Sequence, residues 1–257
     1  MYEAMIIAAS GLQNQQRRLD TIANNVANVN TTAYKSARLD FKDALYTAGI
    51  VPANPRTPEG NQQKGHGVIV AGIVKDFSMG NIQTTDRSLD AAIEGEGFFE
   101  LSDGGGNIVY TRNGAFSISS QDDGNYLVNG EGLYVLDTAG ERIRIPFGTD
   151  TINVDTNGAI TFTAFEQEST VAIGVYTFRN ITGLASMGNG TYAESVASGE
   201  KLPVDDVVIR QGTIEGSNVN LSEEMTRLIR TQRTFQLASR ALKTADEMEG
   251  IANNMRR

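Results

Sequence analysis

The order of apolar and polar positions divides the chain into three stretches. Near the start, Met1, Met5, Ala8, Leu12, Gln15, Leu19, Ile22, Val26 and Val29 recur in alternating steps of four and three. That spacing puts them on one narrow face of an α-helix, a heptad seam with a single polar interruption. Gln13, Asn14, Gln16, Arg17 and Arg18 keep the rest of its surface polar. Gly11 inside the run weakens the helix by about 1 kcal/mol relative to Ala.

The far end repeats the pattern. Leu221, Met225, Leu228, Gln232, Phe235, Ala238, Leu242, Ala245, Met248, Ala252 and Met255 follow steps of three and four, with adjacent threes at two places that break a strict heptad. Asn220 and Glu223 have capping-box spacing, with Asn in place of Ser or Thr.

Between these ends the period shortens to two. "VIVAGIV", "GFFEL", "NIVYTR", "YLV", "LYVL", "TINV", "AITF" and "VAIGVYTF" read as strands, and the Asn-Gly and Asp-Gly pairs between them predict hairpin turns. Residues 47–67 hold three of the five prolines and form neither helix nor central strand. The predicted fold class is therefore α+β: long N- and C-terminal helices forming a coiled-coil-like pair, with a central all-β domain. The expected boundaries are a helix over 1–34, an extended proline-rich linker over 35–67, the β-domain over 68–215 and the second helix over 216–257.

Energetics makes the ends interdependent. Ordering a helix costs roughly 1–2 kcal/mol per residue in backbone entropy, while each large seam residue returns roughly 1.5–3 kcal/mol only when fully buried. Each helix needs a partner face. Whether the two close on each other within one chain or between chains is the functional question that the pattern raises.

Composition narrows the function. The net charge of the 257 residues is −9, and the acidic excess lies in the middle rather than at the ends. That argues against nucleic acid as a partner and gives no basic face for an anionic membrane. With no cysteine, thiolate chemistry and disulfides are excluded. The N-terminus lacks a basic leader, and "AMIIAA" is too short to span a bilayer, so neither membrane insertion nor a cleaved signal peptide is expected.

Candidate catalysis is thin. His66 is the only histidine, in the glycine-flanked loop "KGHGV", which excludes a multi-histidine metal site and leaves a surface role as the plainer reading. "DGGGN" lacks the Lys-Ser/Thr of a phosphate loop and reads as a hairpin turn. "EGEGFF" reads as a bend entering a strand. Asp122 with Asp123, or Asp205 with Asp206, could pair for glycoside hydrolysis, but acidic residues beside glycines are more often turn residues. No enzyme activity, cofactor or metal is expected.

In "TIANNVANVNTTAYKS", Asn24, Asn25, Asn28 and Asn30 interrupt a helical run, although asparagine is a poor helix former. Within a packed helix layer, Asn24, Asn25 and Asn28 can bond to neighbours and give register to an interface that an apolar seam leaves free to slide. The alternative is that they help to end the helix.

"SGLQNQQRRLDTIANNVANVNTTAYKS" resembles the N-terminal signature of the bacterial flagellar rod and hook axial proteins, with its core NN-x-AN-x-x-T-x-x-(Y/F)K. "GTIEGSNVNLSEEMTRLIRTQRTFQLASRALKTADEM" resembles the C-terminal signature of that family, and "DRSLDAAIEGEGFFEL" and "VYTRNGAFSI" resemble its β-domain. The resemblance implies a structural subunit of the flagellar basal body, most like the distal rod members. Such a subunit polymerises with copies of itself, through paired terminal helices, into a rigid tube that transmits torque to the hook. The implied partners are other axial proteins (proximal rod and hook) and the flagellar type III export apparatus, which acts without signal cleavage. The implied assembly interface is Leu12, Leu19, Ile22, Asn24, Asn25, Val26 and Asn28 with Met225, Leu228, Phe235 and Leu242. Pro52, Pro55 and Pro58 would stiffen the rod in a segment that is longer in distal-rod than in hook subunits. Two other readings stay open: a proximal rod or hook subunit, and a secreted β-rich adhesin with a coiled-coil stem.

Overall fold

The computed structural model describes residues 2–44, 46–49, 62–65, 67–165, 167–204 and 208–255. Its contacts divide the chain into two compact units. One comprises Met1–Ala27, Ala37–Lys75 and Asn220–Arg257, and the other Asn28–Ser36 and Asp76–Val219.

The first unit is built on two helices, α1 (Tyr2–Ala27) and α2 (Leu221–Asn254), which pack against each other. They run antiparallel. Asn25 meets Glu224 at one end, and Met5, Ala8 and Leu12 share a cleft with Leu242 and Ala245 toward the other. Asn220 caps α2, its side-chain oxygen accepting the N–H groups of Ser222 and Glu223 at 3.1 and 3.3 Å. Glu223 does not complete the reciprocal box by an observed bond; its carboxylate takes Arg227 one turn on.

Both seams hold in their middles and fail at their ends. The first helix stops at Ala27, so Val29 falls in the turn beyond it. On α2, Leu228, Phe235, Ala238 and Leu242 are half-buried, whereas Leu221, Met225, Met248 and Met255 are exposed. The residues buried near the start of α2 are instead Glu224 and Thr231. A straight α-helix drifts about 20° per heptad against a 3.5-residue repeat, so a seam read over five heptads winds off the face that meets α1.

Strand Ala37–Asp43 pairs antiparallel with Val68–Lys75, with a register shift between Asp40 and Phe41, and the pair lies against α1. Asn14 of α1 donates its amide to the Val68 carbonyl at 2.6 Å. The boundary read at residue 68 thus falls inside a strand pair, because part of the expected linker supplies the partner strand. Tyr46–Gly49 pairs with Gln62–Gly65.

The second unit is antiparallel β throughout. Its main sheet runs in the order Arg144–Ile145, Gly124–Val128, Tyr134–Val135, Phe98–Ser102, Ile108–Thr111, Thr191–Ala193, Ala185–Gly188. A three-stranded meander, Thr149–Val154, Ala159–Ala164 and Gln167–Ala172, adjoins it in sequence. The buried core gathers Ile93, Phe99, Leu101, Phe116, Val135, Ile143, Phe162 and Ile209. A second cluster joins Phe98, Tyr110, Tyr176, Phe178 and Tyr192, with Phe77 edge-on to Tyr192 at 5.2 Å. Alternating residues of strands such as Ala159–Ala164 supply the first core, and Phe98–Ser102, buried on both faces, sends Phe99 and Leu101 into it and Phe98 into the second cluster.

Hairpin signals are mostly, but not all, hairpins. Asn189 and Gly190 both have positive φ (48° and 75°), as a type I′ turn requires, and join Ala185–Gly188 to Thr191–Ala193. Asn113-Gly114 is different: Gly114 donates no positive φ but receives the Ala91 N–H on its carbonyl at 3.0 Å. A Cβ there would stand 1.7 Å from the Ala91 carbonyl oxygen, so glycine is required for close approach of two backbones. Gly114→Ala is expected to destabilise the β unit by about 2 kcal/mol or more, measured by urea unfolding.

Candidate assembly interface and its buried junction

The residues expected at an assembly interface take three different positions. Ile22 is buried, and Leu12, Leu19 and Val26 are half-buried on α1, with Leu228, Phe235 and Leu242 half-buried on α2. Met225 is exposed, as is Asn24. Between the helices lies a cleft of about 420 Å³ half lined by small residues, Ala8, Gly11, Ala238, Ala241 and Ala245, and otherwise by Met5, Leu12, Gln15, Thr234 and Leu242. Pro52, Pro55 and Pro58 lie outside the described residues.

The three asparagines separate by environment. Asn25 is 1% exposed and grips strand Ala37–Asp43 at its first residue: its amide nitrogen donates to the Ala37 carbonyl at 2.8 Å, and its oxygen accepts the Ala37 N–H at 2.9 Å. The same nitrogen reaches Glu224 of α2 at 3.3 Å. One amide thus holds helix, strand and second helix within a single chain. Asn28 sits past the helix end and shapes the exit turn, accepting the Thr31 hydroxyl on its side chain and the Thr31 N–H on its carbonyl, each at 3.1 Å. Ala33 completes the turn in the left-handed region at φ 54° and donates to the Glu215 carbonyl at 2.7 Å.

The most heavily built polar feature of the chain was not anticipated from the pattern. Lys35, Arg112 and Glu215 meet in the second unit with side chains only 1, 4 and 1% exposed. Lys35 Nζ donates to Glu215 Oε1 at 2.7 Å, and Arg112 Nε donates to Oε2, also at 2.7 Å. The Gly80 N–H adds a third donor at 2.7 Å. Lys35 also reaches the Ser78 carbonyl at 2.7 Å, and Arg112 the carbonyls of Gly97 and Gly95 at 3.0 and 2.8 Å. The bend "EGEG" therefore has a use beyond turning: at φ 113° and 139°, Gly95 and Gly97 aim their carbonyls at a guanidinium.

Burial by itself raises the Glu215 carboxyl, but Arg112 and then Lys35, with the Gly80 N–H, more than offset it and hold the group below its ordinary range. Burial lowers the Lys35 ammonium, and Arg112 adds to that, against the pull of Glu215. Both directions agree with a site that holds two cations and one carboxylate and therefore favours losing a proton.

Asn218 ties the same segments a second time. It accepts the Ser36 N–H at 2.7 Å, donates to the Asp76 carbonyl at 2.8 Å, and its own N–H reaches the Tyr34 carbonyl at 3.3 Å. Lys35 belongs to the "AYK" stretch, Arg112 to "YTRNG" and Glu215 with Asn218 to "IEGSNVN". Each of these segments was singled out by resemblance, but only the fold joins them.

The catalytic candidates fare plainly. Asp122 and Asp123 sit in the hairpin between Ser117–Gln121 and Gly124–Val128, and Asp123 accepts the Tyr126 hydroxyl at 2.9 Å. Asp103 of "DGGGN" closes its own turn through Gly105 and Asn107. His66, Asp205 and Asp206 lie outside the described residues. Among the described residues there is no group of three or more metal-ligating side chains, and no helix is long and apolar enough to cross a membrane.

Terminal helices in antiparallel contact, a β-rich middle and a buried junction where the two chain ends meet define a structural subunit. Comparison with known proteins places it. Residues 5–35 match the family described as "Flagella basal body rod protein", 92–162 the "Flagellar hook protein FlgE/F/G D1 domain", and 210–255 the "Flagellar basal body rod FlgEFG protein C-terminal". The chain is 35% identical to the flagellar basal-body rod protein FlgG of Borreliella burgdorferi and 33% to that of Bacillus subtilis, each covering all of both chains. It is also 32% identical, again over the whole of both chains, to the flagellar hook-basal body complex protein FlhP of Bacillus subtilis. The chain belongs to the flagellar basal-body rod protein family and is a structural subunit of the rod.

Proposed function

We propose that the subunit polymerises with copies of itself through its terminal helices, as a distal part of the rod. The observation that carries this is the set of large apolar side chains that α2 exposes away from α1. Its side toward α1 carries Leu228, Phe235, Ala238 and Leu242, yet Met225, Ile229, Leu237, Met248 and Ile251 are 43, 51, 65, 68 and 59% exposed. Large apolar side chains on both sides of a helix are covered together only within a layer of helices, and Arg230, Arg233 and Arg240 between the outer ones leave room for polar contacts in it. Neighbouring copies supply that layer, with residues 1–34 and 216–257 inside the tube and the β-rich middle outside it. Identity of 35% to a FlgG protein over the whole of both chains supports the distal position, next to proximal rod and hook subunits; export is assigned by this reading to the flagellar type III apparatus, without signal cleavage.

Leu237→Asp combined with Ile229→Asp tests the reading. Both positions are exposed in the single chain, so the melting free energy of the subunit should change by no more than about 0.5 kcal/mol per site. Sedimentation and electron microscopy should show that assembly is lost. Polymers of normal length would overturn the proposal.

Stiffness is assigned to the proline-rich segment. Pro52, Pro55 and Pro58 each restrict φ, and a chain so restricted loses less entropy on docking than a glycine-rich one. Deleting residues 48–64 should leave polymerisation intact but give curved polymers by electron microscopy. Straight polymers from the deletion would place stiffness elsewhere.

A further inference from the structure

We propose that the Lys35–Glu215–Arg112 junction, reinforced by Asn218, is a positioning device that sets the register of α1 against α2. The need for such a device comes from the helix pair itself. Where α1 faces α2, half of the cleft lining is small, Ala8, Gly11, Ala238, Ala241 and Ala245, beside Met5, Leu12, Gln15, Thr234 and Leu242. Small side chains make shallow knobs, so this part of the seam opposes sliding by one turn less than its Leu and Phe positions do. Asn25 touches Glu224 only at 3.3 Å, and its two shorter bonds go to the strand at Ala37.

The junction supplies what the helix pair lacks. Lys35 follows the end of α1 by eight residues, and Glu215 precedes the start of α2 by six. Their side chains are joined at 2.7 Å in a site 1% exposed, and Ala33 is bonded to the Glu215 backbone at 2.7 Å. The ends of the two helix-bearing segments are therefore pinned to each other by a charge pair that cannot shift by one residue without leaving a buried charge uncompensated. The pin also needs both chain ends. Without residues beyond 212, the Lys35 ammonium and the Arg112 guanidinium have no buried counter-ion, so the junction closes only in a chain complete through Glu215. This deepens the reading of the helix pair as the polymerising element, but it concerns the isolated subunit and can fail independently of assembly.

The absence of native cysteine makes the test clean. In the antiparallel pairing that brings Asn25 to Glu224, Ala8 stands opposite Ala241, and Ala245 lies one turn away. Two full-length variants are prepared, Ala8→Cys with Ala241→Cys and Ala8→Cys with Ala245→Cys, and the rates of disulfide formation in the dilute subunit are compared. The in-register pair is expected to close about tenfold faster, the scale of a fixed rather than a sliding register. Lys35→Met with Asn218→Ala removes both side-chain ties to the N-terminal segment while keeping the Arg112–Glu215 pair and the backbone bonds of Ala33 and Tyr34, and should bring the two rates measurably closer. An unchanged ratio in the folded double variant overturns the proposal. If the double variant does not fold, Lys35→Met and Asn218→Ala alone decide: a ratio reduced in either supports the junction, and one unchanged in both overturns it. Loss of the preference in Asn25→Ala, with the junction variants unaffected, would assign register to the helix contact and would equally overturn it.

Discussion

Glu215→Gln is expected to destabilise the β unit by about 3–5 kcal/mol, because it removes the buried carboxylate bonded to two buried cations. Lys35 and Arg112 keep their carbonyl partners, but those neutral acceptors do not balance charge in a site almost closed to water. Chemical denaturation near neutral pH, followed on the β signal, measures the loss. Acid gives an independent check with a defined sign. The folded Glu215 carboxyl lies below its ordinary value of 4.5. Its contribution is complete above that value and is lost as pH falls through the lower folded value. The gap between the parent and Glu215→Gln should therefore narrow on acidification below the ordinary carboxylate range. Lys35 acts at the other extreme: its folded ammonium titrates below 10.5, so in that alkaline window the unfolded chain binds more protons and stability rises with pH. A variant as stable as the parent at neutral pH would show that the two cations are compensated by something other than Glu215.

Asn25→Ala is expected to cost about 2–4 kcal/mol, since it leaves both backbone groups of Ala37 and one contact of the buried Glu224 without their partner. The effect should appear in the first unit, as early loss of helical circular dichroism on heating. Asn25→Asp should rank close to it. The aspartate can still accept the Ala37 N–H, but it has no donor for the Ala37 carbonyl and sets a second carboxylate beside Glu224. Asn24→Ala, at an exposed position, should stay within about 0.5 kcal/mol. Equal effects at positions 24 and 25 would remove the distinction between a structural and a surface asparagine.

That distinction bears on why asparagines crowd the end of α1. Asn25 is kept for an intramolecular grip on a strand and a helix, and Asn28 for the turn that follows. Asn25 bonds to neighbouring elements within the chain, and Asn28 shapes the turn at which the helix ends. The pattern alone could not choose, because asparagine offers the same donor and acceptor in either setting.

Element type was legible because it depends on local periodicity. Seams at steps of three and four became α1 and α2, and alternation became antiparallel strands, including every strand segment quoted from the central stretch. Pairing was not legible in the same way. The proline-rich linker conceals strand Ala37–Asp43, whose partner comes from Val68–Lys75. The α2 seam could be phased only where α1 touches it, because small angular drift accumulates along a long helix.

The sequence by itself determined the order of helix, β middle and helix, the family signatures at both ends, and the lack of any thiol or multi-histidine chemistry. Only the tertiary structure decided which charges are structural. Among 31 acidic and 22 basic residues, nothing in the local context of Lys35, Arg112 or Glu215 marks them as buried. Their burial is tolerable only because the fold brings all three together from distant segments. Hydrophobic period is a property of neighbours along the chain, whereas compensation of a buried charge is a property of neighbours in space.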